Sequence, residues 1–228
     1  MQGRTLVALV VMGLALAGCT YTRSGPPSVH YSEFRVSPPQ VNRIEVCHAY
    51  TCQMKTPYTF SKSEIIKISG IMRRVKRSDT PAEERRAIAY AVAHMETTVG
   101  KAVGIKDRPG MDFVSSGDPT QQDCVDEATN TTSYLLVLQS NGLLKHHVVR
   151  TPMAKDNMIK GVLKGKPVEY WPHWAAVIEE KKTGQRWAVD SWPFKMGENP
   201  GVDKVEDWYI SDRPQTAQQK PQTRTAQR

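Results

Sequence analysis

Residues 172–192 read PHWAAVIEEKKTGQRWAVDSW, in which two apolar runs flank a polar segment that ends in glycine. The runs Val168–Glu180 and Arg186–Trp192 have the length and the β-branched and aromatic content of strands. Lys181-Lys182-Thr183-Gly184 between them has turn chemistry, so the two strands are predicted to form a hairpin. The C-terminal half of the chain is therefore predicted to contain an antiparallel sheet.

Helix signals precede this sheet. Ser61-Lys62-Ser63-Glu64 and Thr80-Pro81-Ala82-Glu83 both have the pattern of a helix start, and apolar residues follow each at helical spacing. A third helix is predicted from near Asp123 to about Gln139, where Asn141-Gly142 supplies its stop. Helices followed by antiparallel strands predict an α+β domain, with N-terminal helices packed on an antiparallel sheet. Shorter strands are predicted at Arg43–Tyr50, Gln53–Phe60 and Leu143–Arg150.

The composition is that of one globular domain, with 228 residues of which 39% are hydrophobic and 24% charged. Beyond the N-terminus no apolar run approaches the roughly 18 residues of a membrane-spanning helix, which excludes a polytopic membrane protein.

The net charge is +8, but five of the 31 bases lie in residues 1–18 or in the acid-free tail 213–228. The remaining 26 bases stand against 23 acids, so no nucleic-acid partner is expected. The tail, rich in Gln and Thr, is predicted to be disordered.

The N-terminus has the pattern of an export signal. A basic start is followed by the apolar stretch Thr5–Ala17, and Leu16-Ala17-Gly18-Cys19 follows as a small-residue cleavage site. This tetrapeptide resembles the lipobox of bacterial lipoproteins, which implies that residues 1–18 are removed and that Cys19 is lipidated. Thr20 stands after the cysteine where Asp would direct inner-membrane retention, which implies sorting to the outer membrane. An uncleaved anchor or an ordinary signal peptide is the alternative.

The same resemblance sets the expected location and domain organisation. The protein is expected in the bacterial cell envelope, anchored by lipid on Cys19 to the outer membrane and facing the periplasm. Residues 19–40, with four prolines, are predicted to be a flexible tether. Residues 41–212 are then the folded domain.

Export would place the other three cysteines in an oxidising compartment. Cys47 and Cys52 lie close together in the sequence, so they are expected to form a disulfide. A metal site would need a second ligand pair that the sequence does not place, and neither a metal nor another cofactor is expected. Cys124 remains as an odd thiol that is buried and inert, paired with another molecule, or reactive.

Cys124 lies in the first turn of the third predicted helix, where the helix dipole favours a thiolate. Asp123 and Asp126 oppose this effect, so a nearby imidazolium would be needed. His173 at the start of one hairpin strand and Asp190 at the end of the other fall at the same end of the hairpin. An Asp in that position can orient the imidazole and stabilise its charged form while the other ring nitrogen faces the thiol.

Cys, His and Asp in this order resemble the transglutaminase-like branch of the papain-like cysteine peptidase superfamily. The matching motifs are Gln122–Glu127, Pro172–Val177 and Trp187–Trp192, and residues 123–132 with Val46-Cys47-His48 resemble a family of proteobacterial lipoproteins. The resemblance implies a papain-like fold in which Cys124 is the nucleophile, His173 the general base and then acid, and Asp190 the orienting group. Papain-like enzymes place an oxyanion-hole Gln several residues before the Cys. Here Gln121 and Gln122 lie closer, so the Cys124 backbone N–H is the first expected donor and Gln122 the second.

Other interpretations of these residues stay open. His146 and His147 are alternative bases, since on a strand their side chains point to opposite faces and one could enter the site. Asp126 and Glu127 are expected to be helix-start and surface carboxylates. Four tryptophans are expected to form core and cleft wall, with substrate stacking as the alternative: Trp171, Trp174, Trp187 and Trp192.

The sequence therefore predicts an exported, lipid-anchored cysteine peptidase or amidase that uses a Cys-His-Asp triad for acyl transfer on an amide. Its expected substrate is a protein or peptide of the cell envelope, and water is favoured over an amine as acyl acceptor. The competing function is a non-catalytic envelope lipoprotein of the same fold that binds protein or peptidoglycan. A redox protein that uses Cys47 and Cys52 is the third hypothesis.

Overall fold

The computed structural model describes residues 25–106, 117–155 and 172–211. Within them the chain forms five helices and six strands, in two antiparallel sheets. The α+β class predicted from the sequence is confirmed. In chain order the elements are α1 (Ser28–Glu33), β1 (Arg43–His48), β2 (Met54–Thr59), α2 (Lys62–Val75), α3 (Pro81–Val103), α4 (Cys124–Ser140), β3 (His147–Lys155), β4 (His173–Glu180), β5 (Arg186–Asp190), β6 (Gly201–Lys204) and α5 (Val205–Ile210).

The three long helices begin at the residues that the sequence predicts. Ser61 accepts a hydrogen bond from the Glu64 backbone N–H, and Glu64 bonds back, which completes a capping box for α2. The Thr80 side chain caps α3 by accepting a hydrogen bond from the Glu83 backbone N–H, with Pro81 at the first helical position. Asp123 caps α4 through the backbone N–H groups of Val125 and Asp126.

The main sheet is a four-stranded antiparallel meander in the order β3-β4-β5-β6, and β1 and β2 form a separate hairpin. Helix α4 lies between them, because it contacts β1 on one side and β3, β4 and β5 on the other. Most of α4 is buried, so its polar side chains need partners within the protein. The apolar core between the helices and the sheets includes the buried side chains of Ile44, Ile68, Ile88, Met95, Leu135 and Ile178.

Strand β3 differs from its predicted position. The prediction was Leu143–Arg150, whereas the strand spans His147–Lys155 and continues through Pro152. A register shift between Arg150 and Met153 accommodates the proline, which cannot donate a ladder hydrogen bond. Of the predicted strand Val168–Glu180, residues 168–171 lie outside the described residues.

The predicted tether is wrong from Ser28 onward, because α1 packs on the domain. Tyr31 is 1% exposed and its hydroxyl hydrogen-bonds to the Ser133 hydroxyl of α4 at 2.8 Å. The imidazole Nε2 of His30, also buried, lies 2.7 Å from the Thr129 hydroxyl. These partners lie about a hundred positions along the chain, which is why local sequence does not reveal the contact.

The predicted signal peptide (1–18), the predicted lipidation site Cys19 and the predicted disordered tail (213–228) lie outside the described residues. In the three ranges that the structure describes, none of the helices combines the length and the apolar character needed to cross a bilayer.

Candidate active site

His173 and Asp190 are hydrogen-bonded to each other at one end of the β4–β5 hairpin. The register pairs Ala176 with Val189, so the last residue of β5 lies near the first residues of β4. His173 Nε2 lies 2.7 Å from Asp190 Oδ2, and both residues are buried. Because an ionised carboxylate only accepts hydrogen bonds, we assign the imidazole proton to Nε2.

The other ring nitrogen of His173 is open. Nδ1 is buried and has no hydrogen-bond partner among the described residues. With the proton on Nε2, this nitrogen carries a lone pair and can accept a proton. The pair thus has the arrangement of an oriented general base.

Aromatic residues surround this pair. The His173 ring lies 4.9 Å from the Trp192 ring and 5.8 Å from the Trp208 ring, measured between centroids. The indole Nε1 of Trp208 donates a 2.8 Å hydrogen bond to Asp190 Oδ2, the same oxygen that His173 contacts. The two donors therefore fix one carboxylate oxygen.

The Asp190 carboxylate stays ionised despite its burial. Burial raises its pKa, but the charge and hydrogen bond of His173, the bond from Trp208 and the nearby Lys155 ammonium outweigh that effect. The net pKa lies below the ordinary value for Asp. Lys155 is the cross-strand neighbour of His173, and its ammonium lies over the Trp208 ring at 4.7 Å from the centroid.

Cys124 is the first residue of α4, and its sulfur lies against the backbone on both sides of His173. The thiol is 3.6 Å from the Pro172 carbonyl oxygen, to which it donates, and the backbone N–H of Trp174 faces the sulfur. The residue is 7% exposed. The structure thus brings the thiol to the backbone of His173, but it shows no hydrogen bond between the thiol and the imidazole.

The Cys124 thiol is protonated in this arrangement. Burial raises its pKa well above the ordinary value, and the carboxylates of Asp123, Asp190 and Asp126 add to the rise, while the Trp174 N–H opposes it. The sequence predicts that Asp123 and Asp126 oppose the effect of the helix dipole on the thiol. Both carboxylates do raise the pKa of Cys124, and burial raises it further.

Gln122 has a different environment from the one expected of an oxyanion donor. Its side-chain Nε2 donates a 2.8 Å hydrogen bond to the Cys47 carbonyl oxygen. Gln121 is turned to another loop, where its Nε2 donates to the Lys106 carbonyl oxygen at 3.0 Å. The structure therefore gives no support to the oxyanion role predicted for Gln122, and the Cys124 backbone N–H remains the first expected donor.

Cys47 and Cys52 form a disulfide that closes the β1–β2 connection. The residues Ala49, Tyr50, Thr51 and Cys52 all have positive φ, between 53° and 69°, so the connection is a left-handed turn without glycine. Left-handed backbone costs a non-glycine residue about 1 to 2 kcal/mol. Such a turn persists only where its surroundings hold it. We call Cys47–Cys52 the disulfide loop.

Polar side chains at the start of α4 hold the disulfide loop. Asp126, which is fully buried, accepts backbone hydrogen bonds from Tyr50 at 2.8 Å and from Cys52 at 2.6 Å. Burial and the nearby Asp123 raise the pKa of Asp126, and the backbone donors oppose that rise. The sequence predicts a helix-start role for Asp126, and the structure adds this second role. Glu127, expected on the surface, is instead 5% exposed.

The alternative bases lie at the other end of the sheet. His147 pairs with Glu180 in the ladder whereas His173 pairs with Lys155, which separates the two histidines by roughly 20 Å along the strands. His146 binds the exposed Asp79, and His147 binds the buried Glu84 of α3 at 2.9 Å. Neither histidine is placed to serve Cys124.

One group of possible metal ligands occurs in the described ranges. The sulfurs of Cys47 and Cys52 and a carboxylate oxygen of Asp126 lie within 4.8 Å of one another. The sulfurs are joined in the disulfide and the carboxylate accepts backbone N–H bonds, so these donors are already engaged.

Sequence reasoning missed two residues of this site. Trp208 lies in a short C-terminal helix, and no local pattern indicates that its indole N–H reaches Asp190. Pro172 contributes its backbone carbonyl, which every residue type has.

Among the four predicted wall tryptophans, Trp174 and Trp192 border the site, Trp187 lies under Arg85, and Trp171 is outside the described residues.

A scan against protein-family models and searches of curated proteins and of solved structures found no match to this chain.

Proposed function

We propose that this protein is a cysteine hydrolase that cleaves an amide bond of a protein or peptide in the cell envelope, with Cys124, His173 and Asp190 as its triad. The supporting observation is the 2.7 Å hydrogen bond from His173 Nε2 to Asp190. The other ring nitrogen, Nδ1, is buried and has no hydrogen-bond partner among the described residues. The Cys124 sulfur contacts the backbone carbonyl of Pro172, the residue before His173. A helix that starts at the nucleophile and packs on an antiparallel meander is the arrangement expected of a papain-like, transglutaminase-like fold.

The thiol attacks as a general-base-assisted nucleophile rather than as a preformed thiolate. Its proton passes to His173 Nδ1 while sulfur bonds to the carbonyl carbon, and the Cys124 backbone N–H stabilises the resulting oxyanion. The C–N bond then breaks and the amine leaves with the proton from His173. Water then attacks the acyl-enzyme and gives a proton to His173, the C–S bond breaks, and the sulfur takes that proton back as the acid leaves.

Labelling of Cys124 with iodoacetamide tests this function, since Cys47 and Cys52 are closed in the disulfide. At pH 7 the wild type should label Cys124 at least about tenfold faster than His173→Ala, and Cys124→Ala should not label at that peptide. His146→Ala is the matched control, because His146 also bonds to a carboxylate, that of the exposed Asp79, but is itself only partly buried. It should label like the wild type.

A second candidate is a non-catalytic envelope protein of the same fold. The observation that favours it is the buried thiol, which hydrogen-bonds to Pro172 rather than to the imidazole. Equal labelling of the wild type and His173→Ala would support this function and refute the hydrolase.

The envelope location rests on acylation of Cys19. Cells grown with radioactive palmitate should label the wild type, and Cys19→Ser should abolish the label. A labelled Cys19→Ser variant would contradict the proposed anchor.

A further inference from the structure

The disulfide loop is bound to the start of α4 by four polar side chains, which belong to Gln122, Asp123, Asp126 and Asn130. Asp126 accepts from the backbone of Tyr50 and Cys52. On the preceding turn, Asp123 Oδ2 accepts both the backbone N–H and the hydroxyl of Thr51. Two carboxylates that flank the nucleophile thus contact the same loop.

Two amide side chains complete the contact at the other end of the loop. Asn130 forms a pair of bonds with Cys47, accepting from its backbone N–H at 2.7 Å and donating to its carbonyl oxygen at 2.8 Å. Gln122 donates to the same carbonyl. The loop therefore contacts the two residues before Cys124 and the first two turns of α4.

The disulfide closes the loop that carries these donors. Four successive non-glycine residues hold left-handed backbone, a conformation that an unconstrained chain leaves for negative φ. With the Cys47–Cys52 bond open, the Tyr50 and Cys52 N–H groups would turn away from Asp126. The buried carboxylate would then lack those partners next to the nucleophile.

We infer that the disulfide loop is a positioning element for Cys124, so that reaction of this thiol through His173 requires the oxidised Cys47–Cys52 bond. This inference rests on the proposed function. Reduction by a dithiol transfers two electrons and two protons: the sulfur–sulfur bond breaks, Cys47 and Cys52 become thiols, and the dithiol closes to its own disulfide. Asp126 acts in the same way as a positioning residue, through backbone that it holds.

The test is a mutant cycle read on Cys124. Its labelling rate by iodoacetamide is measured, by peptide mass, with and without His173→Ala in three backgrounds: wild type, Cys47→Ala/Cys52→Ala, and Asp126→Asn. Asn keeps the size of Asp126 but presents an N–H group where two backbone donors converge. We expect the His173-dependent factor to fall from at least about tenfold to within about twofold of unity in both variants.

Glu84→Gln is the control for lost stability, because it removes a buried charge at the far end of the sheet from His173. It should retain the His173-dependent factor. Retention of that factor in the protein without the disulfide would overturn the inference and leave the hydrolase intact.

A second readout separates the two hypotheses. Hydrogen exchange of the backbone amides of residues 124–130 should be at least about tenfold faster after reduction with dithiothreitol. If His173 has no effect on labelling even in the oxidised wild type, the proposed function fails, and hydrogen exchange then decides the structural part of the inference, that the disulfide loop positions the start of α4. Unchanged exchange in the reduced protein would then refute it.

Discussion

The Cys124 thiol donates its hydrogen bond to the carbonyl oxygen of Pro172, 3.6 Å away, and not to the imidazole of the next residue. His173 and Cys124, the base and the nucleophile of the proposed function, are thus neighbours in space without being hydrogen-bonded to each other. This arrangement keeps the thiol neutral, because only a protonated sulfur can donate a hydrogen bond to the Pro172 carbonyl oxygen. Reaction then depends on transfer of the thiol proton to His173 Nδ1 at the moment of attack.

Replacement of Asp190 tests the orienting group. Asp190→Asn removes the charge that stabilises an imidazolium at His173, so labelling of Cys124 should fall by about tenfold, as it should when His173 is removed. Asp207→Asn is the control, since Asp207 is exposed and lies beside Trp208 in sequence. A labelling rate in Asp190→Asn equal to that of the control would contradict the assigned role.

Trp208 should act through Asp190. Trp208→Phe keeps an aromatic ring and removes the Nε1 donor, so labelling of Cys124 should slow by about tenfold and stability should fall by about 1 to 2 kcal/mol. Trp187→Phe is a close control, because Trp187 Nε1 is buried without a hydrogen-bond partner among the described residues. If both variants slow labelling equally, ring packing rather than the hydrogen bond is the cause.

Glu84 should make the fold sensitive to acid. Burial raises the pKa of Glu84, but the bond from His147 and the backbone N–H groups of Lys145 and His146 outweigh it, so the net pKa is lowered. Because the pKa of Glu84 is lower in the folded protein than in the unfolded chain, where it is about 4.3, the ionised carboxylate stabilises the fold at pH values above about 4.3. This stabilisation is lost as the pH falls through the pKa of the folded protein.

Glu84→Gln should therefore cost about 3 kcal/mol at pH 7 and flatten the acid limb of the stability curve. Urea unfolding at a series of pH values between 3 and 7 measures both effects. An acid limb of the same steepness in the variant would show that other groups produce it.

Helix α1 should contribute to domain stability. Tyr31→Ala removes a buried ring and its hydroxyl bond to Ser133, with an expected loss of about 3 kcal/mol. Val29→Ala, at a position that is 51% exposed, should change stability by less than about 0.5 kcal/mol. Thermal unfolding of both variants provides the comparison, and equal midpoints would restore the tether interpretation.

Local chemistry explains which elements the sequence predicts well. The helix starts at Ser61, Thr80 and Asp123 depend on side chains that bond to backbone within three residues, so they can be recognised in the sequence. The proximity of His173 and Asp190 follows from the length of one hairpin. These features need no knowledge of distant contacts.

The remaining features depend on contacts between distant parts of the chain. The prolines before and after α1 suggest a tether, whereas His30 and Tyr31 are buried through contacts with distant residues, among them the hydroxyls of Thr129 and Ser133 on α4. The left-handed disulfide loop likewise needs the carboxylates of α4. The rotation of the Cys124 thiol toward Pro172 depends on packing that sequence spacing does not specify.

The local nature of the β4–β5 hairpin has a consequence for the order of assembly. His173 and Asp190 are only 17 positions apart, and hairpins of this kind close within microseconds. The thiol reaches them only after α4 docks, and α4 in turn contacts a loop more than 70 positions upstream. The His173–Asp190 pair is therefore expected to exist before Cys124 arrives, so under the proposed function the nascent chain would gain hydrolytic competence only late in folding.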